Sequence, residues 1–320
     1  MKIPIGRESA VQLFENCLAE NRLAQSYIIN APAGMGKKIF ANCVTEMTVC
    51  SDHSACGECA SCKSFAAHAH PDVIEVKRDE DRATLGIDSV RAILGEVYIR
   101  PAMSDYKVVI VHEAHLLTAE AQNAMLKVIE EPPRGVVFLL LCDSVSPILQ
   151  TVKSRSVTVN LRPLSADELR TAVGSDAGDF EIGFCGGNPG KLRNLMSDSD
   201  FSALRNETVD LFSKALGGGA ANVYDFVNFF DGNKEKREEI FDIALCLARD
   251  AVYKKLGIAE YMINKDKIQQ IGAFTSKTDT GGCVRILADM LATVRDRGKN
   301  GNYTMAVTQM LFECREVIHG

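Results

Sequence analysis

Five short apolar runs, separated by longer stretches of helical spacing, constrain the first half of this chain more than any other feature. Residues 26–29, 73–76, 107–111, 136–141 and 157–159 are β-branched or continuously apolar, as strands buried on both faces should be. Such alternation predicts a parallel sheet flanked by helices. Between the third and fourth runs, Thr118 predicts a helix cap. Behind it Ala121, Ala124, Met125, Val128 and Ile129 share one face, and Pro132-Pro133 stops the helix.

The pattern changes after Pro163. Ser165-Ala166-Asp167-Glu168 reads as a capping box, and helical spacing with glycine punctuation runs to about residue 199. From about residue 200 no strand pattern remains. Amphipathic stretches such as 234–256 and 304–318 predict helices, with Gly217-Gly218-Gly219 and Gly281-Gly282 as breaks between helices. The charge run 234–239 reads as a solvated helix face.

At 320 residues the chain predicts two or three folded units. No apolar run approaches the roughly 18 to 20 residues of a membrane span, so no membrane is expected. The start, Met1-Lys2-Ile3-Pro4-Ile5, turns polar at Arg7-Glu8-Ser9 and lacks the apolar core of a secretory signal, so the chain is expected to stay in the cytoplasm. With 36 basic and 42 acidic residues the net charge is −6, opposite in sign to the excess that grips phosphate unaided. Any DNA contact is therefore expected to be shared with partners.

Cys50, Cys56, Cys59 and Cys62 place four soft donors within thirteen residues, a set suited to a closed, tetrahedral, structural Zn²⁺ site with Gly57 easing the turn. The competing reading is a group of free or redox-active thiols. His53, His68 and His70 are alternative ligands, read as surface residues because four thiols already suffice. Ala31-Pro32-Ala33-Gly34-Met35-Gly36-Lys37-Lys38 follows the first strand and opens a helix, the setting of a phosphate-binding loop. Gly34, Gly36 and Lys37 suit phosphate oxygens. Ala31 stands where such loops begin with Gly, and Lys38 where a Ser or Thr would hold Mg²⁺. The third strand ends Val111-His112-Glu113, which puts His112 at the metal-holding carboxylate and leaves Glu113 as a candidate base. These substitutions point to a degenerate site and leave ATP or ADP binding open.

In this order the motifs resemble those of the bacterial DNA polymerase III clamp-loader subunits, which comprise an ATP-hydrolysing gamma/tau type and a non-hydrolysing delta-prime type. The resemblance covers about 195 residues. It includes Arg22-Leu23, the cysteine module just after the phosphate-loop helix, His70-Pro71-Asp72-Val73, Ile87-Asp88-Ser89-Val90-Arg91 and the segment from Ala124 to Pro133. Ser154-Arg155-Ser156 is similar to the family's Ser-Arg-Cys motif, so the resemblance implies that Arg155 reaches the ATP of a neighbouring subunit; the bland reading is a surface ion pair. Gly190 falls where the hydrolysing type carries a nucleotide-sensing Arg, unless Lys191 or Arg193 substitutes.

The resemblance implies an AAA+ P-loop-type α/β domain over 1–162 with the zinc module at 50–62, a helical lid over 163–200, and an all-helical collar over 201–320. It implies a delta-prime stator, not an enzyme on its own, within the DNA polymerase III holoenzyme. Its partners would be gamma/tau and delta subunits, the sliding clamp, and primed DNA through the complex. The alternative is a gamma/tau-type motor, against which Lys38 and His112 argue. A zinc-dependent DNA-binding module is a third reading, but only Lys63 is basic between Cys50 and Lys63, beside Asp52 and Glu58.

Overall fold

The structure, a computed structural model, describes residues 3–79, 81–174, 177–295 and 303–319. Met1 and Lys2, on which part of the signal-peptide argument rests, lie outside the described residues. The chain divides into two compact units, Met1–Ser175 with Gly187–Lys191, and Asp176–Gly186 with Leu192–Gly320.

In the first unit β1 (Ser26–Asn30), β2 (Val73–Val76), β3 (Lys107–Val111), β4 (Val136–Cys142) and β5 (Val157–Asn160) form one sheet in the order β2-β3-β4-β1-β5. Every pairing is parallel, with Ile28 opposite Leu140 and Val109 opposite Phe138. The period of two along each strand sorts side chains between the sheet's two layers. Val137, Leu139 and Leu141 join Tyr27, Ile29, Val108 and Ile110 beneath the helices Glu8–Ala19 and Lys37–Val49, which contribute Phe14, Phe40 and Met47. Val136, Phe138 and Leu140 join Ile28, Val109 and Val111 beneath Ile87–Val97 and Ala119–Glu130. Thr118 caps the latter helix by accepting the Ala121 N–H, and Met125, Val128 and Ile129 are buried as their spacing predicts. Burial on both faces holds for the inner strands but not for the margins. At the edge, β5 leaves Val157 43% exposed, because an edge strand has a neighbour on one side only.

The capping box is present: Ser165 accepts from the Glu168 N–H, and the Glu168 carboxylate accepts from the Ser165 N–H. In the second unit the described residues form helices, among them Asp179–Cys185, Phe201–Gly217, Ala221–Gly232, Arg237–Leu256, Ile268–Thr275, Thr280–Arg295 and Tyr303–His319. Phe180 stacks with Phe184 and with Phe201, which are tilted to each other, and the Arg205 guanidinium lies 3.5 Å from the Phe180 ring centre. Asp250, fully buried, accepts the N–H groups of Ile263 and Asn264. Two expectations need correction. Gly281-Gly282 is no break: both lie in the first turn of Thr280–Arg295, where Asp279 accepts the Gly282 N–H at 2.7 Å. The run 234–239 is only partly solvated, since Lys236 pairs with Asp198 at 2.7 Å and Arg237 with Asp231. Among the described residues no helix is long and apolar enough to cross a membrane.

Candidate functional site

The cysteine module lies between the helix Lys37–Val49 and β2. Cys50 follows that helix, and Cys59 caps the helix Ala60–Ala66 that carries Cys62. All four Sγ atoms fall within 4.8 Å of one another. Cys50 Sγ is 3.7 Å from Cys56 Sγ and 4.0 Å from Cys59 Sγ. Thiolates held about 2.3 Å from one ion at tetrahedral angles sit about 3.8 Å apart, so the set fits a metal ion with four protein donors. Backbone N–H groups support it: Cys56 N donates to Cys50 Sγ, Cys59 N to Cys56 Sγ and Cys62 N to Cys59 Sγ. The N–H groups of Ser51 and Cys62 hold the Cys59 thiol down at about 6, while burial pushes the Cys62 thiol up.

The three histidines stand apart from this set. His68 is exposed, and the His53 Nδ1–H donates to Met47 O at 3.2 Å. His70 corrects the surface reading, being only 6% exposed. Its Nδ1 accepts the Asp72 N–H, so the neutral ring carries its proton on Nε2, 2.5 Å from Ser61 Oγ, and Ser61 donates to Val49 O. That chain of hydrogen bonds ties the Cys62 helix to the edge of the sheet.

At the carboxyl end of β1, Gly34 and Gly36 take φ of +81° and +83°, which glycine adopts without strain. They turn the chain into the helix whose first N–H groups lack intrahelical acceptors. Lys37 folds back over this loop: Nζ donates to Ala31 O at 2.7 Å and Pro32 O at 3.0 Å, and reaches Asp143 Oδ1 at 2.5 Å. The segment 188–190 lies against the same loop. Asn188 Nδ2 donates to Ala33 O at 2.8 Å and Gly190 N to Gly34 O at 3.0 Å. A Cβ on Gly190 would meet Gly34 Cα at 2.6 Å, so close backbone approach explains glycine there.

At the end of β3, the His112 Nε2–H donates to Glu75 Oε2 at 3.2 Å. Burial lowers the His112 pKa and outweighs the Glu75 carboxylate, which raises it. Glu113 adopts φ +48°, a left-handed conformation uncommon outside glycine, and accepts from Arg78 Nε at 3.3 Å. Lys38, His70, Glu75 and Lys77 line a cavity of about 480 Å³ beside the Cys62 helix. An ammonium and a neutral imidazole bound to a carboxylate do not make a Mg²⁺ site, because the metal takes oxygen donors.

Arg155 lies on the surface between the short helix Gln150–Lys153 and β5. Its Nη2 is 3.2 Å from Glu130 Oε1, and Nη1 donates to Thr151 O at 3.1 Å. With 43% of the side chain exposed, this contact exchanges readily with water. Ser156 anchors the backbone beside it, donating to Val152 O at 2.9 Å and lying 2.8 Å from Ser26 Oγ. The structure thus gathers Gly34, Gly36 and Lys37 at the end of β1, and puts Glu113 at the end of β3 and Arg155 ahead of β5. Sequence reasoning missed Asp143, although as the residue after β4 it stands at the carboxyl edge where parallel sheets build binding sites.

Residues 6–165 match a family described as "DNA polymerase III, delta subunit", and residues 199–316 match "DNA polymerase III, delta subunit, C terminal". Among curated proteins the chain is 35% identical over 137 residues to DNA polymerase III subunit delta' of Pseudomonas aeruginosa, covering 42% of each. It is 31% identical over 169 residues to subunit tau of Bacillus subtilis, covering 52% of this chain and 29% of that protein. In both cases the match spans less than half of the relative. Among solved structures, a DNA polymerase III gamma-subunit-related protein of Thermotoga maritima aligns over 98% of this chain at 18% identity, with a TM-score of 0.45. The match to the first family model covers half of the chain. On that ground the chain belongs to the DNA polymerase III delta subunit family.

Proposed function

We propose that the chain is a delta-prime-type stator of the DNA polymerase III clamp loader. It joins gamma/tau and delta subunits in the cytoplasm, helps place the sliding clamp on primed DNA, and presents Arg155 to the ATP site of a neighbouring motor. The observation that carries this reading is the state of its own site. Lys38 stands in place of one Mg²⁺ ligand, and His112, in place of the other, is hydrogen-bonded to Glu75. Phosphoryl transfer relies on such metal ligands to offset charge on the transferring group. In contrast, Arg155 supports the reading as a planar fork on the surface, 43% exposed and held by an exchangeable contact to Glu130, beside Ser156. The net charge of −6 supports a subunit that meets DNA through the assembly. The metal at Cys50, Cys56, Cys59 and Cys62 is proposed to be Zn²⁺, which favours four-thiolate tetrahedral sites and here has a structural role.

Similarity to a tau subunit keeps the motor reading as the alternative. Phosphate release by the isolated chain separates the two. The stator releases phosphate at background rate, and Lys37→Ala changes nothing. Turnover approaching ~1 s⁻¹, within the range of ordinary enzymes, and abolished by Lys37→Ala, establishes the motor.

A further inference from the structure

The phosphate loop already carries an anion at its lysine. An ammonium has three N–H donors, and three oxygens lie around Lys37 Nζ: Ala31 O, Pro32 O and Asp143 Oδ1. The Lys37 side chain is left only 12% exposed. Asp143 is held in turn from a second element. Its N–H donates to His115 Nδ1 at 3.2 Å, so the neutral imidazole carries its proton on Nε2, which faces Asp143 Oδ2 at 3.7 Å. Asp143 directly follows β4 and His115 lies just beyond β3, so both belong to the scaffold rather than to the loop. The glycine turn and the open N–H groups of the helix start persist, yet Lys37, whose charge matches a phosphate, is paired within the chain.

From this geometry we infer that Asp143 is an internal latch on the phosphate loop. It takes the position at Lys37 that a phosphate oxygen of a nucleoside di- or triphosphate would take, and so keeps the loop from binding one. The inference rests on the reading of residues 31–38 as a phosphate loop and concerns binding, not hydrolysis. An incoming phosphate chain must displace a charge-assisted contact and also approach a carboxylate of its own sign. A neutral side chain at 143 removes both obstacles while leaving the loop, Lys37 and the helix start in place.

The test is calorimetric titration of ADP into the full chain, comparing wild type with Asp143→Asn, Asp143→Ser and the double variant Asp143→Asn/Lys37→Ala. Thermal melting of each variant checks that it is folded. Both single variants are expected to bind ADP at least about tenfold tighter than wild type, and the double variant to lose that gain. Equal affinity in wild type and both single variants overturns the latch, as does failure of every folded variant to bind. ATP turnover by the same proteins bears separately on the stator: background rates in all four sustain it whatever the binding shows, turnover by an Asp143 variant alone contradicts the degenerate site without touching the latch, and turnover by wild type contradicts both, because a chain that hydrolyses ATP must bind it.

Discussion

Asp72 is only 1% exposed, and its carboxylate accepts the N–H groups of Ala102, Met103 and Ser104 at 2.6, 2.8 and 2.9 Å. Burial pushes its pKa up, but these bonds and the Ser104 hydroxyl outweigh burial and hold it below the usual carboxylate range. One side chain thereby fixes the connection between the helix Ile87–Val97 and β3. Asp72→Asn puts an amide donor among donors and is expected to cost about 2 to 4 kcal/mol, the range for losing charge-assisted bonds at a buried site. Because the folded pKa lies below the unfolded value of about 3.9, the stabilisation is complete above about pH 5. It is lost as the pH falls through the folded pKa. Urea midpoints at pH 7 and pH 3 check this: the gap between wild type and Asp72→Asn should narrow at pH 3, and an unchanged gap contradicts the assignment. Nothing in the local sequence marks this role. His70-Pro71-Asp72 stood out only through the family resemblance, and the partners of Asp72 begin thirty residues further along. The burial of His70 was illegible for the same reason, since Ser61, which meets its ring and donates to Val49 O, belongs to another element.

Elements built from local rules were legible. The inner strands β3 and β4 are buried along their whole length, so an uninterrupted apolar run identifies them. The helix Ala119–Glu130 carries its cap, its apolar face and its Pro stop in contiguous sequence. Exposure of Val157 could not be read there, because strand order decides which strand is an edge and no spacing encodes order. The cysteine module is the element most fully legible, as its four donors lie within thirteen residues. Protein purified without chelator is predicted to hold about one equivalent of zinc by elemental analysis; less than about half an equivalent contradicts the four-thiolate site. Cys59→Ser should lower that content and expose the segment 50–66 to protease. The parallel sheet, whose core takes Ala55 but none of the four cysteines from that segment, should keep its far-ultraviolet circular dichroism. Loss of the whole fold would mean that the metal supports more than its own module.

At the scale of the whole chain, the proposed stator role rests on an asymmetry between a phosphate loop read as having lost its metal donors at Lys38 and His112 and an arginine, Arg155, on the surface. The first half was readable as substitutions within a motif that the family resemblance implies: Lys38 and His112 at the metal-holding positions, and Gly190 at the nucleotide-sensing one unless Lys191 or Arg193 substitutes. What the motif could not convey is how Asp143 and residues 188–190 lie against the loop, contacts that span more than a hundred residues of sequence. The second half, the role of Arg155, concerns a surface whose partner belongs to another subunit. A guanidinium acting in trans contributes on the order of 10³-fold or more to phosphoryl transfer, but a ring with several motors masks part of the loss. The most direct measurement is clamp-stimulated ATP hydrolysis by a reconstituted loader carrying Arg155→Ala, with assembly followed by co-elution. The expected result is a partial fall in hydrolysis and clamp loading while the subunits co-elute at the wild-type size. Unchanged rates with normal assembly would contradict it, leaving Arg155 as a surface charge paired with Glu130.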